Sequence, residues 1–309
     1  MHQLRRGGTV VGKIASGLKP VALVLAIAAL AGTGVPSRAS AQEAGNLPAD
    51  AKFVSIGGSV TEIVYALGEE DRLVARDTTS TYPAAAKELP DVGYMRQLSP
   101  EGVLSVGPEA ILSIAGSGPP ETMLVLQRSG IPVVTIPEGH SAEGVVAKIE
   151  KVGAALGVED KADALARTVQ AEFRRLGEEV SAIPERKRVL FILSMQGGKV
   201  LAAGTGTAAD AMIRLAGARN AVTDYAGYKA LTDEALIEAA PDAILMMDRG
   251  EADEDAAQIL ESPALKATPA GEAGKLIRMD GLYLLGFGPR TADAARDLAA
   301  ALHGEVALR

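Results

Sequence analysis

Leu98-Ser-Pro-Glu-Gly-Val-Leu-Ser-Val-Gly-Pro-Glu-Ala-Ile-Leu112 occurs a second time, 133 residues later, as Leu231-Thr-Asp-Glu-Ala-Leu-Ile-Glu-Ala-Ala-Pro-Asp-Ala-Ile-Leu245. Six of the fifteen positions are identical: Leu98/Leu231, Glu101/Glu234, Pro108/Pro241, Ala110/Ala243, Ile111/Ile244 and Leu112/Leu245. Each copy reads as a capped short helix, a turn made by Pro and an acid, and a buried strand. A unit that recurs at this distance predicts two similar lobes, and two lobes predict a cleft.

Outside the repeat, residues 1–41 read as an export signal. Arg5, Arg6, Lys13 and Lys19 make a basic leader, Val21 to Leu30 is a short apolar run, and Ala39-Ser-Ala41 offers a cleavage site before Gln42. The run is too short to span a bilayer and no second one follows, so no membrane insertion of the mature chain is expected. Arg5-Arg6 leaves twin-arginine export open beside the Sec route. Five of the 31 basic residues and none of the 39 acidic ones fall in the leader, so the remainder carries about −13, from 26 against 39. Such a chain is a poor partner for nucleic acid or anionic lipid and suits a basic protein surface. There is no cysteine, which fits the bacterial periplasm and excludes a thiol-linked lipid anchor. The expectation is a free, soluble periplasmic monomer.

Strand and helix signals alternate along most of the chain. Phe53-Val-Ser-Ile56 is a β-type run, Gly57-Gly58-Ser59 a turn, and Val60 to Leu67 a helix stopped by Gly68. Leu73 to Ala75 is a strand that opens into the polar loop Arg76 to Pro83. Between Ser141 and Ile183 the strand signal vanishes: Val145 to Leu156 is amphipathic, and Glu159 to Val180 keeps apolar residues at Ala162, Leu165, Val169, Phe173 and Leu176. That last helix would span roughly 33 Å, enough to bridge two lobes. The second half restarts with a strand from Arg188, a hairpin at Gly197-Gly198, and Gly204-Thr-Gly-Thr207 leading into a helix. Strands alternating with helices predict an α/β protein with parallel central sheets, divided as an N-terminal lobe (42–140), a linker-helix region (141–183) and a C-terminal lobe (184–309).

Gly204-x-Gly206-x-x-Ala209 after a strand matches a dinucleotide fingerprint in form, but an exported protein meets little nucleotide, and a tight turn into the helix accounts for the same glycines. Glu101 and Glu234 fall in first helical turns, where a carboxylate is favoured by the helix dipole; as a pair, one per lobe, they also suit docking on basic sites of a partner. Only His140 and His303 follow the leader, too few with no Cys for a zinc or His-rich metal cage. Tyr82 remains as a donor. It lies in a loop just past a strand end, where parallel sheets bind ligands, and a phenolate suits ferric iron. Arg249, at the matching strand end of the other lobe, could reach across to favour the anion. No Gly-x-Ser-x-Gly elbow and no Ser–His–acid set point to an exported hydrolase, so no enzyme and no catalytic cofactor are expected.

The ordered set Ser55-Ile-Gly-Gly-Ser-Val-Thr-Glu-Ile, Tyr82-Pro, Val92-Gly-Tyr-Met-Arg-Gln-Leu-Ser-Pro-Glu-Gly-Val-Leu104, Gly227-Tyr-Lys-Ala-Leu-Thr-Asp-Glu-Ala-Leu-Ile, Met246-Met-Asp-Arg-Gly250 and Gly281-Leu-Tyr-Leu-Leu-Gly-Phe-Gly-Pro-Arg-Thr291 resembles the periplasmic haem-binding proteins of bacterial haem ABC importers. The resemblance covers nearly all of the mature chain. It implies two Rossmann-like lobes joined by a single long rigid helix, haem as the transported ligand, and an ABC permease dimer as partner. It puts the axial tyrosine on Tyr82, the cleft arginine on Arg249 and the docking glutamates on Glu101 and Glu234, with Tyr228 and Arg96 as further pocket residues. A second haem held by a histidine finds no clear match, since His140 stands at the start of the linker region. The same architecture could hold cobalamin or a ferric siderophore, but those pockets lean on aromatic rings, and this chain has no Trp, four Phe and six Tyr.

Overall fold

A computed structural model of the chain describes residues 47–248, 259 and 261–304. The expected leader and cleavage site lie outside the described residues, as does Arg249. Strands β1 (Phe53–Ile56), β2 (Leu73–Arg76), β3 (Ala110–Ile114) and β4 (Val133–Ile136) form an all-parallel sheet in the order β2-β1-β3-β4. Parallel neighbours need crossovers, which helices α1 (Gly58–Ala66), α2 (Pro100–Leu104) and α3 (Pro120–Arg128) help to supply. The strand order reverses between β1 and β3, the place in an open α/β sheet where ligands sit beyond the carboxyl ends.

The strand-free stretch holds two helices, α4 (Ala142–Leu156) and α5 (Glu159–Ser181). Gly157 at φ 71° ends the first in the left-handed conformation that glycine tolerates. Helix α5, with 23 residues, is about 34 Å long. It buries Ala162, Ala166, Val169, Phe173 and Leu176, one stripe at spacings of three and four.

The second sheet contains β5 (Arg188–Gln196), β6 (Lys199–Ala203), β7 (Arg219–Asn220), β8 (Tyr228–Leu231), β9 (Ala243–Asp248) and β10 (Leu276–Asp280). Its order is β10-β9-β5-β6-β8, with β7 paired to β5. With it come helices α6 (Ala208–Leu215), α7 (Asp233–Ala239), α8 (Pro263–Lys266), α9 (Pro269–Glu272), α10 (Gly281–Leu285) and α11 (Thr291–His303). Here the sheet is parallel only in part: β10, β9 and β5 run together, whereas β6 is antiparallel to β5 and to β8. The cause is the hairpin at Gly197 (φ 56°) and Gly198 (φ 78°), whose paired positive φ values suit a tight turn between twisted strands. Strand β8 carried no clear signal in the sequence, because three of its four residues are exposed at a sheet edge.

Both copies of the repeat fold alike. Ser99 Oγ accepts from Gly102 N at 2.9 Å and starts α2, and Thr232 Oγ1 accepts from Ala235 N at 3.3 Å and starts α7. The acid after the proline ties each copy to the first strand of its own lobe. Lys52 N donates to Glu109 Oε2 at 2.7 Å, and Arg188 N donates to Asp242 Oδ2 at 2.7 Å. The strands that follow, β3 and β9, pair with β1 and β5.

One face of each sheet has its own core, formed by Val54, Ile56, Ile111 and Leu126 in the first lobe and by Leu190, Ile192, Ile244 and Leu265 in the second. The other faces share a single apolar cluster, which runs from Phe53 and Ile63 through Ile149 and Phe173 to Phe191, Phe287 and Leu298. A continuous apolar contact of this kind opposes free movement of one lobe against the other. The end of α5 is also tied to α11, where Arg296 pairs with Glu179 at 2.8 Å and Glu172 at 3.2 Å.

Candidate functional site

The loop between β2 and the 3₁₀ turn at Ala84–Glu88 is organised by Asp77, which is fully buried. Its Oδ1 accepts from Gly57 N at 2.9 Å and from Ser80 Oγ at 2.8 Å; its Oδ2 accepts from Thr79 N at 3.0 Å and Thr79 Oγ1 at 2.7 Å. A carboxylate here also answers the partial positive charge at the start of α1. Gly58 lies against the other lobe: a Cβ on it would come 2.5 Å from Leu282 Cδ1 and from the Thr79 carbonyl oxygen. So anchored, the loop delivers Tyr82 to the meeting of the lobes.

Tyr82 is 43% exposed. It lines a cavity of about 180 Å³ together with Thr81 and Lys87 from its own lobe and Asp280, Tyr283 and Arg290 from the other. The guanidinium carbon of Arg290 stands 3.4 Å from the centre of the Tyr82 ring and 4.9 Å from that of Tyr283. Arg290 Nε donates to Glu62 Oε1 and Nη2 to Glu62 Oε2, both at 3.0 Å, with Arg290 N adding a third bond at 3.3 Å. Burial works against the charge of Arg290, but the Glu62 carboxylate outweighs it and raises the arginine's pKa. Tyr283 donates to Asp297 Oδ2 at 2.9 Å, and its own pKa is raised by burial and by that acid.

Among the described residues, the cation stacked on Tyr82 is Arg290. Arg249, expected there from the sequence, is outside the described residues. Repeat logic pointed to the strand end after β9, whereas Arg290 comes from the loop 286–290, which the repeat does not contain. Its signal was present in Gly286-Phe-Gly-Pro-Arg290, a tight loop before a helix. Glu62 was visible as one acid inside the apolar run Val60 to Leu67; its exposure is only 5%.

Arg96 of the first lobe lies close enough to Tyr228 of the second for its charge to act on that phenol. Tyr228 is 38% exposed and stands edge-on to Phe191 at 6.4 Å between ring centres. Burial pushes its phenol pKa up, against a hydrogen bond with Thr207 and the Arg96 charge, which both pull it down. Glu101 and Glu234 are exposed on separate lobes, in the first turns of α2 and α7. The Glu234 pKa is lowered by its own backbone N–H and by the Thr232 hydroxyl. His140 packs tilted against Phe287, 5.0 Å between ring centres, and lies 3.7 Å from Glu138.

The glycines after β6 make a tight turn. A Cβ on Gly204 would come 2.2 Å from the Tyr225 carbonyl oxygen, and Gly206 has φ 73°. Asp210, 1% exposed, accepts from Gly206 N at 3.0 Å and pairs with Arg214. A buried carboxylate at this helix start repels the pyrophosphate that a dinucleotide would bring. Asp77 does the same at Gly57. Among the described residues no cluster of His, Asp and Glu could hold a metal ion, and no helix is long and apolar enough to cross a membrane.

The sequence matches the family model of periplasmic binding proteins over residues 54–282. The chain belongs to the periplasmic binding protein family. It is similar to the solved periplasmic heme-binding protein BhuT in complex with two hemes: 44% identity, TM-score 0.78, over 84% of this chain and 99% of that one. It is also similar to the apo form of the periplasmic heme-binding protein RhuT of Roseiflexus sp. RS-1, at 36% identity and TM-score 0.79, over 84% of this chain and all of that one (100%). Among curated relatives, the ABC transporter substrate-binding lipoprotein YvrC of Bacillus subtilis is 32% identical over 200 residues, 64% of this chain and 63% of that protein. A vitamin B12-binding protein of Yersinia pestis is 37% identical over 89 residues, 28% of this chain and 32% of that protein. The chain thus spans less than two thirds of the length of these two curated relatives.

Proposed function

We propose that this chain is an exported receptor that captures haem between its lobes and delivers it to an ABC permease at the inner membrane. The observation that carries the reading is Tyr82, a phenol open to solvent on a cavity that both lobes line, with an arginine stacked on its ring. Tyrosine is an axial ligand for ferric haem, and a neighbouring cation favours the phenolate that binds. The cavity of about 180 Å³ is below the roughly 300–1,000 Å³ of enclosed small-molecule pockets. The macrocycle would then stand largely in the open cleft, held at its iron by Tyr82, with Arg96, Tyr228 and Lys87 within the set that can meet its faces and propionates. The relatives solved as heme-binding proteins support this ligand class. Exposed Glu101 and Glu234, one per lobe, would dock on basic sites of a permease dimer, with the receptor acting as a soluble monomer.

Titration of the purified protein with ferric haem tests the reading. A high-spin charge-transfer band should appear and saturate, and Tyr82→Ala should abolish it. Affinity should fall by more than the roughly 10–100-fold that loss of an outer partner costs. An unchanged spectrum in that variant removes Tyr82 from the iron. A vitamin B12-binding protein matches only 28% of the chain and the aromatic content is 3%, so cobalamin is the disfavoured reading. Tight cobalamin binding that displaces haem at equal concentration would reassign the ligand.

A further inference from the structure

Loop 286–290 belongs to the second lobe, between α10 and α11, yet the carbonyls of Gly286 and Phe287 and the side chain of Arg290 find their partners in the linker and the first lobe. Lys148 of α4, fully buried, donates from Nζ to Ser59 Oγ at 3.2 Å and Glu138 Oε1 at 3.0 Å, and to the carbonyls of Gly286 at 3.4 Å and Phe287 at 3.1 Å. At the other end of the loop, Arg290 forms its two-pronged pair with Glu62 of α1. Phe287 between them is fully buried, with φ 49°. The loop is therefore fastened at one end through Lys148 of α4, which also bonds Ser59 and Glu138 of the first lobe, and at the other to Glu62 of the first lobe; that arginine is the group stacked on Tyr82 at 3.4 Å.

We infer that loop 286–290 couples the closure of the lobes to the grip on the iron. The inference rests on the reading of Tyr82 as the iron ligand. Arg290 reaches Tyr82 only while its own lobe is seated on Glu62. A planar guanidinium held by two parallel bonds has one orientation, and it limits the tilt of the ring stacked on it. Separation of the lobes at this seam withdraws the cation and that constraint together, so the iron–phenolate bond weakens as the cleft opens. A permease that pries the two docking faces apart would then loosen the cargo with no direct contact to the haem. Glu62 and Lys148 are positioning residues in this scheme, since neither lines the cavity at Tyr82.

Release of ferric haem to an excess of a haem-scavenging apoprotein measures the coupling, followed by the Tyr82-dependent charge-transfer band and set beside the thermal midpoint. Glu62→Gln keeps the shape of the side chain and removes its charge; release should quicken roughly three- to thirtyfold, the range of a lost desolvated cation–π contact, with the band shifted but present. Lys148→Met touches neither Tyr82 nor Arg290 and should also quicken release as it lowers the thermal midpoint. Arg290→Lys, which keeps the charge but not the planar fork, should fall between wild type and Glu62→Gln. Wild-type release and band in folded Glu62→Gln and Arg290→Lys overturn the coupling, as does a Lys148→Met protein with a lowered midpoint and unaltered release. If the wild-type band itself does not depend on Tyr82, the ligand assignment fails first.

Discussion

The two lobes solve the same problem in different ways, and the difference decides which of them carries the candidate ligand. Each contains a strand, a glycine turn and a helix, and in each a buried aspartate accepts from a turn N–H just ahead of that helix. In the second lobe the acid is Asp210, inside α6 and four residues from the Gly206 N–H that it accepts. In the first lobe it is Asp77, twenty residues beyond Gly57 and on a different loop. A helix that supplies its own acid leaves the neighbouring loop free. A helix that takes its acid from a loop fastens that loop beside it, and Tyr82 lies five residues further along. Tyr82 thus has no counterpart among the described residues of the second lobe, although the repeat elsewhere is close.

Removing each aspartate should separate these roles. Asp77→Ala leaves four donors without their acceptor and should cost about 3 kcal/mol, and Asp210→Ala about 2 kcal/mol, since Arg214 can turn to solvent. In a chain of this size each kcal/mol lowers the thermal midpoint by roughly 2–4 °C. The sharper contrast is in ligand binding: Asp77→Ala should weaken haem binding at least about tenfold as Tyr82 loses its seat, while Asp210→Ala leaves the affinity within twofold of wild type, roughly the scatter between distant sites. Equal losses of affinity would show that the loop needs no anchor. A smaller difference is expected at the acids of the repeat. Asp242 is half-buried and Glu109 exposed, so Asp242→Ala should cost about 1–1.5 kcal/mol and Glu109→Ala about 0.5 kcal/mol in chemical denaturation. A reversed order would mean that the Pro-acid turn is not what ties each copy to its first strand.

The smallest effect concerns acid. Burial lowers the pKa of His140, beside the seam, and of His303, at the end of α11, below the ordinary 6.5. The unfolded chain therefore takes up these protons first. Stability is complete above about pH 6.5 and falls as the pH drops through the lower folded values. His140→Gln and His303→Gln should each flatten part of that slope below about pH 6.5; a slope that neither variant alters would assign it to carboxylates.

Much of the architecture was legible before any coordinates. Periodicity located β1, α1, the hairpin after β5 and both long helices of the linker, because apolar spacing and turn glycines are local properties of the chain. The repeat announced two lobes, and its Ser and Thr positions already carried their capping roles, whereas the bonds of Glu109 and Asp242 to Lys52 N and Arg188 N appeared only in the structure. Tyr82 stood out by chemistry and by its place after a strand. Edge strand β8 did not, since an exposed edge lacks alternation. Arg290 was missed because its contacts with Glu62 and Tyr82 join residues more than two hundred positions apart.

Local order, then, was written in the sequence: caps, turns, strand cores and the doubling of a unit follow from neighbours within a few residues. Which acid answers which helix, which arginine stacks on Tyr82 and how one buried lysine gathers both lobes were decided only in the folded chain. Those choices depend on distances between segments that no pattern along the sequence encodes, and burial makes each of them costly to leave unmet.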